Sequence, residues 1–268
     1  MIRKSTLRPI TLLNSINEDG QPKIAHSNPQ ILLFSNNRKY LVKFKNNPQG
    51  NRMLMRELVC TTLAAHIGLP TVPFEIVNIP KGFLRKNDLK KYKFTPGSQF
   101  ASLYLDNSTG LWIKPQKEQI VNRSILAGIL VFDFWLRNID RDESNILLRP
   151  FGDSKFFVNV IDHGNCYPNK DELEKILNEP ETFELSKVHK WCLSMLNDEK
   201  ELIFYLQKVM AIQENFISDL IYSIPADWLI SNKIKKELYT DILETKQVLP
   251  DIVKMLSSYI KTSSNNSS

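Results

Sequence analysis

Asp140, Asn145 and Asp162 fall in two short pieces, NIDRDESN and IDHG, separated by an apolar stretch that turns back on itself. Their types suit phosphoryl transfer. A carboxylate beside an attacking hydroxyl can take its proton, which is the role open to Asp140. An amide oxygen (Asn145) and a second carboxylate (Asp162) are hard donors of the kind Mg²⁺ prefers, and Mg²⁺ leaves its remaining positions to water and phosphate. The Asp-x4-Asn spacing alone is weak in a chain this rich in Asn and Asp. Its context strengthens it: an apolar helix with Ile125, Leu126, Ile129, Leu130 and Phe134 leads in. Behind it, 146–148 and 156–161 read as a hairpin turning at Gly152-Asp153. The competing reading is a capped helix end followed by an ordinary turn. Asp142 and Glu143 read as exposed loop acids, with a second metal contact as the alternative. His163, between Asp162 and Gly164, packs or hydrogen-bonds in its turn rather than acting as a base. His26, His66 and His189 lack metal-ligand spacing, so a zinc site is not expected.

A second set lies upstream. Lys43 sits in YLVKF, an apolar strand, and is either an edge lysine that snorkels to water or a buried cation with a partner. Glu57 offers a partner, because it shares a helical stripe with Met53, Cys60 and Ala64 and so points where apolar groups point. A carboxylate there needs a counter-charge. The alternative, with Arg56 as the partner offered to neighbours, is a surface Glu57. A strand lysine paired with a helix glutamate is how kinases hold the α- and β-phosphates. Neither GxGxxG nor GxxxxGK[ST] occurs. The phosphate-cradling candidate is instead the turn before the 31–34 strand, where backbone amides, the Ser27 hydroxyl and the Asn28 amide could form a nest. A plain polar turn is the alternative.

These residues need a scaffold, and the chain can provide one. Its 268 residues suffice for a full core, and 42% hydrophobic with 24% charged residues is ordinary for a globular protein. The net charge of +6 suits an anionic partner, but the basic residues are scattered apart from short clusters such as Lys81 to Lys93, which read as solvated, loop-like surface. Nucleic acid is not indicated. Three distant cysteines argue against a disulfide framework, and no apolar run approaches the length of a membrane span. A cytoplasmic protein is expected. Strands at 31–34, 40–44 and 71–79 around a helix at 51–67 predict a small α+β N-terminal lobe over 1–105. A mostly helical lobe follows over 106–260, with helices at 199–210, 212–223 and 233–244. KTSSNNSS, 261–268, reads as a disordered tail.

The order of parts resembles the HipA-like kinases, in particular the short HipA-related bacterial kinase domains. The likeness is carried by SNPQILL, YLVKFKNNPQGNRMLMRELVCTTLAAHIGLP, PGSQFASLYL, FDFWLRNIDRDESNILL and IDHG, and covers most of 24–168. NIDRDESN and IDHG are also distantly similar to the catalytic and metal loops of phosphatidylinositol 4-kinases. The resemblance implies a two-lobed, protein-kinase-like α+β fold that uses ATP and Mg²⁺. Under it Lys43 is the ATP lysine and Glu57 its partner, with Ser27 and Asn28 in the phosphate turn. Asp140 is the catalytic acid/base, and Asn145 and Asp162 are the metal ligands. It further implies transfer of the γ-phosphate to a Ser or Thr of an unidentified protein. A lipid or small-alcohol acceptor and a nucleotide-binding pseudokinase that acts as an interaction module are the alternatives. Asn138-Ile139-Asp140 stands where protein kinases have HRD, Asp162-His163-Gly164 stands for DFG, and no APE follows.

Overall fold

The computed structural model describes residues 5–13, 27–138, 141–167 and 185–265. The chain divides into two compact units. Unit 1 comprises Met1–Val59, Val72–Asp106 and Asp219–Lys235. Unit 2 comprises Cys60–Thr71, Asn107–Ser218 and Lys236–Ser268.

Unit 1 is built on an antiparallel sheet of β1 (Pro9–Leu13), β2 (Gln30–Phe34), β3 (Lys39–Lys43), β4 (Phe74–Ile79) and β5 (Gly97–Leu103), ordered β1-β2-β3-β5-β4. Strand alternation is explicit in β2, where Gln30, Leu32 and Phe34 are buried and Ile31 and Leu33 are partly exposed. Leu32, Phe34, Tyr40, Val42, Phe44 and Val77 contribute to the core. β1 was not anticipated as a strand; the Ser5 amide before it donates to the Ile76 carbonyl on the opposite edge strand, 3.0 Å away. The helix expected over 51–67 is α1 (Asn51–His66), whose first turns belong to this unit.

Two features of unit 1 depart from the sequence reading. The lysine-rich stretch is not a loop: it forms α2 (Lys81–Lys86) and a 3₁₀ turn (Leu89–Tyr92). Phe83, Leu84, Leu89 and Phe94 turn inward from it, and Phe94 stacks on Phe44 at 4.5 Å. Residues 219–235, read as part of the C-terminal helices, join this unit. Trp228 is fully buried and donates from Nε1 to the Ser98 carbonyl at 2.8 Å. Asp227 pairs with Lys45 at 2.6 Å.

Unit 2 centres on α3 (Ile125–Trp135), a helix buried on every face. It packs against α4 (Lys187–Ser194) and α5 (Lys200–Met210). Gly128 permits the close approach to α5, since a Cβ there would lie 2.5 Å from the Tyr205 ring. The expected hairpin is β6 (Ile146–Pro150) and β7 (Phe156–Val160), with Ile146 opposite Val160. The helix read at 212–223 is α6 (Glu214–Tyr222), which ends in unit 1. That read at 233–244 is much longer, α7 (Asn232–Asn265), and Pro250 lies inside it. The backbone is thus helical into the segment read as a tail. Among the described residues, no helix is long and apolar enough to cross a membrane.

Candidate active site

In unit 1, Lys43 and Glu57 meet. Lys43 Nζ donates to Glu57 Oε2 at 2.7 Å, and the side chains are only 7% and 5% exposed. The sheet order explains why Lys43 does not snorkel: β3 lies between β2 and β5 and is no edge. Met53, Glu57, Cys60 and Ala64 are all buried, as the helical stripe requires. Pairing of Gln30 with Val42 brings the turn before β2 to the Lys43 end of β3. In that turn Ser27 is buried, Asn28 adopts a left-handed conformation (φ 48°), and Gln30 Nε2 donates to the Asn28 carbonyl at 3.0 Å. Lys45, two residues beyond Lys43, pairs with Asp227 instead.

In unit 2, the hairpin brings Asn145 and Asp162 to neighbouring positions at its open end. The Ile161 amide donates to the Asn145 carbonyl at 3.1 Å, one step beyond the Ile146–Val160 pair. Asp162 follows directly, in a left-handed conformation (φ 59°) that sharply redirects the chain. Both residues are half-buried. An amide and a carboxylate oxygen at a partly open position suit a hard cation that keeps water in its shell. Among the described residues no three His, Cys, Asp or Glu side chains cluster as a metal site. Asp140 lies outside the described residues. Asp142 caps the 3₁₀ turn Glu143–Asn145, accepting from the Ser144 amide at 2.7 Å and the Ser144 hydroxyl at 2.5 Å. His163 is buried, shares a hydrogen bond with Thr61 Oγ1 at 3.2 Å through Nδ1, and meets Phe132 edge-on. Cys60, Cys166 and Cys192 are free and buried, and burial pushes the Cys166 and Cys192 thiols up, which makes poor nucleophiles of both.

One residue of this region escaped the sequence reading. Asp133 sits in the middle of ILVFDFW on α3, with no exposed surface. Arg141 grips it in a fork, Nε to Oδ2 at 2.5 Å and Nη2 to Oδ1 at 2.6 Å. Asn138 Nδ2 adds a bond to Oδ1 and His189 Nε2 one to Oδ2, each at 3.1 Å. Burial raises the Asp133 pKa, but Arg141 and His189 outweigh it and hold the carboxyl at about 2. The remaining arm of Arg141, Nη1, reaches the Ile161 carbonyl at 3.2 Å. A signal was available: an acid inside an uninterrupted apolar helix must have a buried partner. The partners themselves were not readable.

The fold is shared with solved kinases. The chain is similar to the Helicobacter pylori proinflammatory kinase CtkA, with a TM-score of 0.54 and 18% identity over 93% of this chain and 96% of that one. It is also similar to the Golgi casein kinase with Mn/ADP bound, with a TM-score of 0.51 and 12% identity over 88% of this chain and 72% of that one. No curated protein matches in sequence. These likenesses establish a kinase fold. The HipA-like kinase family model matches residues 22–255, and the chain belongs to that family.

Proposed function

We propose that this chain is a Mg-ATP-dependent kinase that transfers the γ-phosphate to a Ser or Thr hydroxyl of a protein. The observation that carries the proposal is the hairpin pairing, in which the Ile161 amide bonds the Asn145 carbonyl and so brings the backbone of Asn145 close to that of Asp162. This supports the reading because kinase chemistry uses an amide and then a carboxylate in that chain order. Asn145 and Asp162 would hold the metal, and Lys43, oriented by Glu57, would hold the α- and β-phosphates. The Ser27–Asn28 turn would lie against phosphate through its backbone amides. Bound Mg-ATP supplies the transferable phosphoryl group and neutralises charge on it. Asp140 would accept the proton of the attacking hydroxyl. Positioning and electrostatics would supply most of the rate. A protein acceptor is supported by family membership and by a fold shared with a kinase named for casein.

The test is incubation of the purified protein with γ-labelled and, separately, α-labelled ATP against protein and lipid pools. The expected result is γ-label on protein, on Ser or Thr, lost in Asp140→Ala and Asp162→Ala. Label confined to lipid would replace the acceptor, and α-label on protein would make the reaction AMP transfer. Nucleotide binding without any transfer would make the chain a pseudokinase.

A further inference from the structure

We propose that Asp133 is a positioning residue, acting through Arg141 to tie the residues on either side of Asp140 in sequence to the peptide that precedes Asp162; this role rests on the kinase reading above. The two residues that flank Ile139-Asp140 are both tied to this one side chain. Asn138 is held by its amide to the Asp133 carbonyl at 2.7 Å and by its side chain to Oδ1 at 3.1 Å. Arg141 is held by both oxygens of the same carboxylate. The third arm of the guanidinium then crosses to the Ile161 carbonyl, the residue before Asp162, while the Ile161 amide holds Asn145. One buried carboxylate thereby joins the rear of α3, the residues on either side of Asp140, and the peptide that carries Asp162. His189 closes the fourth side from α4.

A buried ion pair is weak evidence for a stability role, because apolar residues of similar volume commonly hold a fold as well or better. What apolar residues cannot supply is orientation. The planar guanidinium fork fixes distance and angle on both oxygens and has a further N–H left to aim elsewhere. Partners behind metal ligands typically alter metal affinity or activity by about 10–100-fold when removed. Asp133 and Arg141 are almost wholly buried, with no more than 1% exposure.

The test uses Mn²⁺ binding in the presence of a non-hydrolysable ATP analogue, read by electron paramagnetic resonance, alongside turnover and thermal melting. Asp133→Leu/Arg141→Met removes both charges together, so that neither is left buried alone, and is expected to melt cooperatively. Arg141→Lys keeps the charge but loses the fork. Both are expected to bind Mn²⁺–analogue about 10–100-fold more weakly and to turn over at least about 100-fold more slowly. Asp162→Ala is the control for the metal site. Binding lost in Asp162→Ala but kept, with turnover, in the folded double variant overturns the positioning role alone. Absence of Mn²⁺–analogue binding in the unmodified protein overturns the kinase reading and this role with it.

Discussion

Lys43 of β3 donates to Glu57 of α1 at 2.7 Å, and both side chains are almost wholly out of water. Two charges removed from solvent repay their desolvation only through each other and through neighbouring hydrogen bonds, so deleting one partner is costly. Lys43→Met is expected to lower unfolding stability by about 3–5 kcal/mol, the range for stranding a buried charge. Lys43→Met/Glu57→Leu should recover most of that loss. Both variants should bind an ATP analogue at least about tenfold more weakly, since one lost contact to a charged group is worth more than about 1.4 kcal/mol. Urea unfolding with calorimetric titration checks this. A double variant that recovers both stability and affinity would confine the pair to the fold.

Asp142 and Asp162 are both acids of the same region, and the proposed function gives them different work. Asp142 is spent on the Ser144 amide and hydroxyl as a cap. Its replacement by Ala should cost about 1 kcal/mol of stability and leave turnover within a few-fold. Asp162→Asn, which suits the left-handed backbone at this position, should reduce turnover below detection. Steady-state assays with melting curves on the two variants distinguish the roles. Equal loss of turnover in both would assign Asp142 to the metal as well.

Much of the candidate site was legible because it is local. Period-2 alternation placed Lys43 among apolar neighbours, the helical stripe placed Glu57 beside Met53 and Cys60, and the cost of a lone buried charge joined them. Asn145 and Asp162 were joined by a hairpin whose two strands are adjacent in sequence. What was not legible depends on how the chain turns after a helix, as for Arg141 and Asn138 around Asp133, and on distant partners. Asp133 reads as an isolated acid, and its contact with His189 spans 56 residues. The return of Asp227 to Lys45 spans 182 residues, and nothing in the composition near Asp227 announces it. The 81–93 stretch misled for another reason. Its lysines dominate the composition, while Phe83, Leu84 and Leu89, with Phe94 just beyond it, form the buried side at irregular spacing.

Asp133 also predicts a dependence on pH. Its carboxyl is held at about 2 in the fold, against an ordinary value of 3.8. A folded value below the unfolded one contributes stability that is complete above the unfolded pKa and is lost as pH falls towards the folded one. The contribution is about 2 kcal/mol at neutral pH and should fade between about pH 4 and about pH 2. Urea midpoints measured down to the acid limit of the native state should therefore fall more steeply for the parent than for Asp133→Leu/Arg141→Met. Parallel slopes would show that Asp133 titrates normally within the fold.

Gly97, the first residue of β5, has a φ of +110° that L side chains rarely adopt. A Cβ there would collide with the Asp227 carboxylate and lie 2.7 Å from Lys45 Nζ. The same carboxylate accepts from the Ser98 amide at 2.8 Å, and the hydrogen bonds from Lys45 and Ser98 keep its pKa low despite partial burial. Any shift that accommodates a methyl group must therefore open the Lys45–Asp227 pair and loosen residues 226–228 from β5. Gly97→Ala is expected to destabilise the protein by about 2–3 kcal/mol, combining backbone strain with overpacking. Gly82 offers the control, since a Cβ added there meets nothing within 4 Å and the residue lies in α2. Gly82→Ala should raise stability by about 0.5–1 kcal/mol through its helix preference. Thermal melts of the two variants should move in opposite directions, and a Gly97→Ala variant as stable as the parent would show that 226–228 is not held to the sheet by this contact.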